Sequence, residues 1–239
     1  AFDQMSERLQ STVSQQQQLL RDLSHELRTP LSRLRVACDS EQGEAALRER
    51  LSREVDGMQR LVEDTLQLAW LDAERGPLPL EDIQVQALWE MISENARFES
   101  GWTEDRLPCF VEADCWVQGH LNSLAQALEN ILRNAIRHSP PEGVVSLSGQ
   151  REGDMWHLWL DDQGGGVAPQ ELERIFAPFI RLDGSRPGDG GFGLGLSIAR
   201  NALRLQGGSL WAENHGPGLR VHLRLRVCEP SDQKLAYSL

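Results

Sequence analysis

Apolar residues recur at helical spacing through residues 1–75 and at strand spacing in the later part of the chain. The first stripe consists of leucines: Leu20, Leu23, Leu27, Leu31 and Leu34. The second advances in alternating steps of four and three: Leu47, Leu51, Glu54, Met58, Leu61, Thr65 and Leu68. These patterns predict two long amphipathic helices, one from the N-terminal residues to about 38 and one over about 45–72.

Two long helices with a short connection at 39–44 predict an antiparallel hairpin. One hairpin cannot cover both of its apolar stripes, so we expect two chains to pair into a four-helix bundle. The seam of the second helix fits a coiled-coil spacer equally well.

The rest of the chain has mixed helical and strand character after a linker, Gly76-Pro77-Leu78-Pro79. The pattern predicts helices over 85–100 and 121–138, a strand near 80–84 and short extended pieces within 108–117. Alternating apolar residues predict further strands around 145–147, 156–160 and 219–227. Strands grouped with helices indicate an α+β sandwich, with helices on one face of a mixed sheet.

Composition narrows the class of protein. The 239 residues are 40% hydrophobic and 25% charged, which is typical of soluble globular domains. A net charge of −12 argues against nucleic acid or an anionic membrane as a direct partner. Four scattered cysteines indicate reduced thiols rather than disulfides or a zinc site. No apolar run reaches the ~18 residues of a membrane span, and the start at Ala1 suggests a piece of a longer protein.

His25 lies nearly opposite the leucine stripe of the first helix, and Thr29 shares its face one turn later. Glu26 follows His25 directly, close enough to take a proton from a group that approaches the ring. This arrangement favours a nucleophilic imidazole with a carboxylate base. The alternative is an ordinary solvated surface histidine.

The helix over 121–138 separates an apolar stripe from a polar cluster. The stripe, which we expect to be buried, consists of Leu121, Leu124, Leu128, Ile131, Leu132 and Ala135. Asn130, Asn134 and Arg137 lie opposite, with His138 nearby. Two asparagines at i, i+4 offer oxygen ligands to Mg²⁺, and Arg137 adds positive charge. A solvated polar face is the alternative interpretation.

Two glycine-rich stretches follow. Asp161-Asp162 leads into Gln163-Gly164-Gly165-Gly166, where a carboxylate and bare backbone suit a flat ligand with an exocyclic amine, although a simple turn has the same pattern. The glycines of 190–195 lead into an apolar helix whose N-terminal N–H groups favour phosphate. This stretch is neither a P-loop nor a convincing Rossmann motif. The residues between the two glycine-rich stretches, up to Asp189, have few core-forming side chains. This composition predicts a mobile lid.

Five motifs occur in a recognisable order: SHELRTPL, NILRNAIRHS, DDQGGGV, IFAPFIR and GFGLGLSIA. They resemble the H, N, G1, F and G2 boxes of the sensor histidine kinases of two-component systems. The resemblance covers residues 20–227.

The resemblance implies roles for individual residues. His25 corresponds to the phospho-accepting histidine, Glu26 to its base and Thr29 to the residue that orients water in phosphatase action. Arg181 corresponds to an arginine that approaches the γ-phosphate. The implied nucleotide and lid-hinge residues are Asn130, Asn134, Arg137, His138, Asp162, Gly164, Gly166, Gly191, Gly193, Leu194 and Gly195. Asn134 and then Asn130 are the implied metal ligands.

The resemblance further implies a homodimer that uses ATP and Mg²⁺ and passes a phosphoryl group from His25 to an aspartate of a cognate response regulator. The implied parent is a bacterial inner-membrane sensor, of which this chain is the cytoplasmic portion. Its implied parts are the end of a signalling helix at 1–19, a dimerisation and phosphotransfer domain at 20–75, a linker at 76–79, an ATP-binding domain at 80–228 and a disordered tail at 229–239.

Two rival functions remain at this point: an Hsp90-like or MutL-like ATPase clamp, and a nucleotide-binding dimerisation module without turnover. Two departures from the family pattern also stand out. His120 replaces the usual aspartate before the N-box helix, which is expected to weaken the helix cap. Pro187 lies in a short lid, which is expected to alter how the lid closes.

Overall fold

The computed structural model describes residues 2–38, 43–73, 79–182 and 191–229. Its contacts divide the chain into two units: residues 1–73 with 178–194, and residues 74–177 with 195–239. Most of the predicted connection at 39–44, most of the linker, the lid residues 183–189 and the tail beyond 229 lie outside the described residues. Among the described helices, none combines the length and apolar composition that a bilayer span requires.

The first unit contains the helical hairpin. Helix α1 (Phe2–Cys38) runs without interruption through Pro30, and α2 (Glu44–Ala73) begins within a residue of the predicted position. Glu54, which interrupts the apolar seam of α2, has its carboxylate 3.7 Å from the Arg33 guanidinium on α1. A charged residue in the seam is therefore paired across the hairpin.

The seam is best buried in the second half of α2. Leu61 and Leu68 are fully covered, and the Thr65 hydroxyl between them donates a 2.7 Å hydrogen bond to the Leu61 carbonyl. Other large apolar side chains on the hairpin stay exposed in a single chain: Val13, Leu20, Leu31, Val36, Val55, Val62, Leu66 and Trp70.

The described residues of the second unit form three α-helices and seven strands. The helices are α3 (Val85–Ser100), α4 (Leu121–His138) and α5 (Gly195–Leu205). The strands are β1 (Glu81–Gln84), β2 (Cys109–Phe110), β3 (Trp116–Gly119), β4 (Ser146–Glu152), β5 (Met155–Asp161), β6 (Ser209–His215) and β7 (Gly218–Arg226). The sequence pattern predicts each of these except β6.

The strands form two sheets. A small antiparallel pair joins β1 to β3, and a larger sheet has the order β2-β4-β5-β7-β6. The β2–β4 pair is parallel and the other pairs are antiparallel, so the predicted mixed sheet is confirmed.

Alternation along β5 separates the two faces of the larger sheet. Trp156, Leu158 and Leu160 are buried in the core, whereas His157 and Trp159 lie on the opposite face. The apolar stripe of α4 is likewise buried, with one exception. Leu121 is 38% exposed, so its predicted place in the core is wrong. It is the first residue of α4, and its side chain leans toward the helix N-terminus, past the packed part of the helix.

The face of the sheet opposite the core carries an imidazole pair. The Nε2 atom of His157 lies 2.9 Å from Nδ1 of His222, and the indole of Trp211 stacks on the His222 ring at 4.8 Å. Glu152 contacts the other nitrogen of His157 at 3.0 Å, and the Glu213 carboxylate lies 3.2 Å from His222 Nε2. One imidazole must donate and the other accept, so a doubly protonated pair loses the shared hydrogen bond.

Burial lowers the pKa of the His222 imidazole, with His157 and Arg220 acting in the same direction and Glu213 opposing them. Since a histidine in the unfolded chain titrates near 6.5, the folded state binds fewer protons below that pH, and its stability falls as the solution is acidified. We expect His222→Phe to flatten this fall by up to about 1.4 kcal/mol per pH unit. Denaturant unfolding between pH 7.5 and 5 measures the pH dependence of the free energy of unfolding, with exposed His215→Phe as the control. An equal pH dependence in both variants would contradict the assignment of this effect to His222.

Candidate functional site

The candidate phosphoacceptor lies on α1. His25 and Thr29 are exposed and Glu26 is half-buried, all within an uninterrupted stretch of helix. His25 and Thr29 are therefore one turn apart on the same face. A shallow groove of about 390 Å³ begins at Thr29 and continues along the hairpin past Arg28, Arg33 and Arg50.

Helix α4 presents the candidate nucleotide-binding side chains, and its N-terminus is capped by an unexpected residue. The His120 ring accepts a 3.3 Å hydrogen bond from the Ser123 N–H through Nδ1, which also lies 2.9 Å from the Ser123 hydroxyl. The imidazole thus takes the place of the usual aspartate, and the expected weakening of the cap is offset.

Asn130, Asn134 and Arg137 are half-buried on one side of α4. The first residue of α5 lies directly against Asn130, because a Cβ atom at Gly195 would be 3.1 Å from Asn130 Oδ1. The N–H groups that begin α5 therefore lie close to the Asn130 amide, which makes this corner suitable for phosphate.

Asp162 follows β5 and is 6% exposed. Its Oδ1 accepts two backbone hydrogen bonds, from Gly164 N–H at 2.8 Å and from Leu219 N–H at 2.9 Å. Among the described residues, no hydrogen bond ends on Oδ2. The carboxylate is thus fixed in orientation with one oxygen available to a ligand donor.

The neighbouring Asp161 has a different role. It lies on the opposite face of the sheet, where both of its oxygens accept hydrogen bonds from Arg220, at 2.6 and 2.8 Å. This pairing excludes Asp161 from the ligand side.

The glycine loop after Asp162 is tied to the end of α4. A Cβ atom at Gly164 would be 3.0 Å from the His138 carbonyl oxygen, so this loop and the helix end are in close approach. Gln163 N–H donates to the Ser139 hydroxyl at 3.3 Å, and the Gln163 side chain accepts from Val144 N–H at 3.0 Å. Gly166 has φ +67°, a conformation that favours glycine.

The motif over 174–195 is divided between the two units. Phe176 is buried in the second unit, with the Arg200 guanidinium 5.0 Å from its ring centroid. Arg181, Gly191, Gly193 and Leu194 belong to the first unit. In this group Arg181 is exposed and Leu194 is buried.

The carbonyl of Gly193 accepts a 2.9 Å hydrogen bond from Phe179 N–H within the first unit. Its φ is +72°, and a side chain there would collide with the Ile180 carbonyl. Glycine is therefore required at this position.

The structure brings Asn130, Gly195, His138, Gly164 and Asp162 together within one unit. Asn214 is a further residue of this region that the sequence pattern does not predict. Its side-chain amide forms hydrogen bonds with both backbone groups of Val167 in the glycine loop. The one signal for it in the sequence is an asparagine shortly before a Gly-Pro-Gly turn.

The candidate metal ligands are amide oxygens. Within the described ranges, no group of three or more His, Cys, Asp and Glu side chains is arranged to hold a metal ion. Asn130 and Asn134, half-buried and one turn apart on α4, fit a hard cation that takes oxygen ligands and retains several waters.

Two family models match the chain. The His Kinase A (phospho-acceptor) domain matches residues 15–74, and the histidine kinase-, DNA gyrase B- and HSP90-like ATPase matches residues 119–229. With both domains in this order, the chain belongs to the sensor histidine kinases of two-component systems.

Individual relatives agree with this family. The sensor protein PfeS of Pseudomonas aeruginosa is 60% identical over 94% of this chain and 50% of its own length. The sensor histidine kinase CpxA of Escherichia coli is 35% identical over 97% of this chain and 51% of its own length. The chain thus spans about half the length of these relatives.

Solved structures share the fold. The histidine kinase AdeS of Acinetobacter baumannii has a TM-score of 0.68 at 23% identity, covering 86% of this chain and 98% of its own. The mycobacterial sensor histidine kinase MprB has a TM-score of 0.54 at 29% identity, covering 62% of this chain and 97% of its own.

Proposed function

We propose that the chain is an ATP-dependent protein histidine kinase that phosphorylates His25 and transfers the phosphoryl group to an aspartate of a response regulator. The observation that carries this proposal is an exposed histidine on a rigid helix in a chain that also holds a buried, oriented Asp162. An ATPase clamp does not need the first of these features.

The proposed reaction has two steps. A nitrogen of His25 attacks the γ-phosphorus of ATP, a P–N bond forms, the bond to ADP breaks and Glu26 accepts the proton of the ring. A carboxylate of the receiver domain then attacks the phosphorus and takes over the phosphoryl group, which leaves His25 free.

The second unit holds the nucleotide in this proposal. Oδ2 of Asp162 accepts a hydrogen bond from the exocyclic amine of adenine. Gly164 and Gly166 shape the loop beside the base, since their lack of a side chain allows the loop to approach His138 and Asn214 closely. Asn130, Arg137, His138 and the N-terminus of α5 serve the phosphates.

Asn134 and Asn130 would hold Mg²⁺, which supplies charge neutralisation at the phosphates when bound. Arg181 would approach the γ-phosphate, and Gly191, Gly193, Leu194 and Gly195 would form the hinge of the lid. These roles follow from the family resemblance.

We further propose a homodimer, because the apolar side chains left exposed on both helices, such as Leu20, Leu31 and Leu66, need a partner surface. The groove that runs from Thr29 past Arg28, Arg33 and Arg50 suits the acidic phosphorylation site of a receiver domain. The chain would work as the cytoplasmic portion of an inner-membrane sensor, without nucleic acid as a partner.

Incubation with γ-³²P-labelled ATP and Mg²⁺ tests the proposal. We expect label on the protein that is labile in acid and stable in base, as a phosphorylated imidazole requires. ATP hydrolysis without protein label would instead favour an ATPase clamp, and nucleotide binding without turnover would favour a dimerisation module.

Thr29→Ala is expected to slow hydrolysis of a phosphorylated receiver domain about tenfold or more, because the hydroxyl that orients the attacking water is lost. Autophosphorylation of His25 is expected to continue, since Thr29 takes no part in it. The decay of a labelled receiver domain measures the effect, with Ser14→Ala, exposed on α1 and outside the groove, as the control. Unchanged decay in Thr29→Ala would remove the proposed phosphatase role.

A further inference from the structure

Asn214 lies near the end of β6 and bonds the glycine loop at a distance of 47 residues along the chain. Its Oδ1 accepts a hydrogen bond from Val167 N–H at 2.8 Å, and its Nδ2 donates to the Val167 carbonyl at 2.6 Å. The amide thus pairs with both backbone groups of one residue, as a neighbouring strand would.

These two hydrogen bonds anchor the part of the glycine loop that follows Gly164. Among the described residues, they are the only hydrogen bonds to the backbone of residues 165–167. The Asn214 oxygen also fills the space beside Gly166, where a Cβ atom would be 2.9 Å away. The course of the loop after Gly164 therefore depends on one side-chain amide.

The strand opposite Asn214 holds the other end of the same loop. Asn214 on β6 pairs in register with Leu219 on β7. The Leu219 backbone exchanges two hydrogen bonds with Asp162, one from its N–H to Oδ1 at 2.9 Å and one from Asp162 N–H to its carbonyl at 3.0 Å. One rung of the β6–β7 ladder thus fixes both Asp162 and Val167.

We infer that Asn214 is a positioning residue for nucleotide binding: its amide sets the gap between Asp162 and the backbone of residues 164–167 that admits a flat purine base. This inference rests on the proposed function. Asn214 acts through the loop and through Gly166, while the hydrogen bond to the base comes from Asp162.

The test measures initial autophosphorylation rates of the full chain over a range of ATP concentrations. Asn214→Leu removes both hydrogen bonds, and Asn214→Asp keeps the acceptor but loses the donor. We expect the KM for ATP to rise about tenfold in Asn214→Leu and less in Asn214→Asp, with the rate at saturating ATP within about twofold of the original chain. Exposed His215→Leu, on the same strand, is the control.

The unfolding midpoint without nucleotide separates positioning from a general loss of structure. If the unfolding midpoint of Asn214→Leu is lowered, the KM of Asn214→Asp for ATP is the deciding measurement. An unchanged KM in Asn214→Asp and in folded Asn214→Leu, or a lower saturating rate at the original KM, would overturn the inference. If the original chain takes no label from ATP but still binds ADP, the kinase proposal fails while the same comparison of ADP dissociation constants still tests Asn214.

Discussion

His25→Gln is expected to abolish protein labelling by γ-³²P-ATP, a fall of more than about a thousandfold, because glutamine has no nucleophilic nitrogen to replace the imidazole. The free energy of unfolding should change by no more than about 0.5 kcal/mol, since His25 is exposed on α1 and glutamine suits a helix. Affinity for ADP should be unchanged, because the proposed nucleotide site lies in the other unit.

The control for this result is another exposed histidine. His215 lies on β6 with its side chain exposed, and His215→Gln should keep full labelling. Label that persists in His25→Gln would place the phosphoacceptor elsewhere. A parallel loss of ADP binding would mean that the substitution damaged more than the acceptor.

Asp162→Asn is expected to weaken ADP binding at least about a hundredfold. The asparagine oxygen can still accept from Gly164 N–H and Leu219 N–H, so the loop keeps its anchors. The amide nitrogen then takes the place of Oδ2 and presents a donor to the donor amine of adenine, which leaves two buried donors unsatisfied. Calorimetric titration with ADP measures the loss.

The neighbouring aspartate provides a matched comparison. Asp161→Asn breaks the paired hydrogen bonds with Arg220 on the other face of the sheet and should leave ADP affinity within about twofold. Equal losses in the two variants would point to damage to β5 as a whole. Unchanged affinity in Asp162→Asn would remove Asp162 from the adenine site.

The sequence predicts the elements with strong periodicity well. The helices over 85–100 and 121–138 are confirmed at the same residues, because a wide apolar stripe and a following glycine or serine define them clearly. The exposure of His25 is also seen in the structure, since its position opposite the leucine stripe follows from helical geometry alone.

Other features depend on pairing that one sequence does not encode locally. Strand β6 lies at the edge of the sheet and Leu210 is its one buried residue, so its alternation is too weak to predict. The bond from Asn214 to Val167 depends on which strands become neighbours. The cap formed by His120 depends on the ring offering a nitrogen as acceptor, which its residue type does not reveal.

The side chains of Asp161 and Asp162 lie on opposite faces of the sheet. Which of the two lines the candidate site therefore depends on how the core of the sheet is packed. Side-chain direction alternates along β5, so a slip of one position against β7 would exchange the two carboxylates. Asp161, which now binds Arg220, would then lie on the face proposed for the nucleotide. Trp156, Leu158 and Leu160 would then face water, and that cost opposes the slip. The burial of these three apolar side chains therefore determines which of the two aspartates faces the proposed nucleotide site.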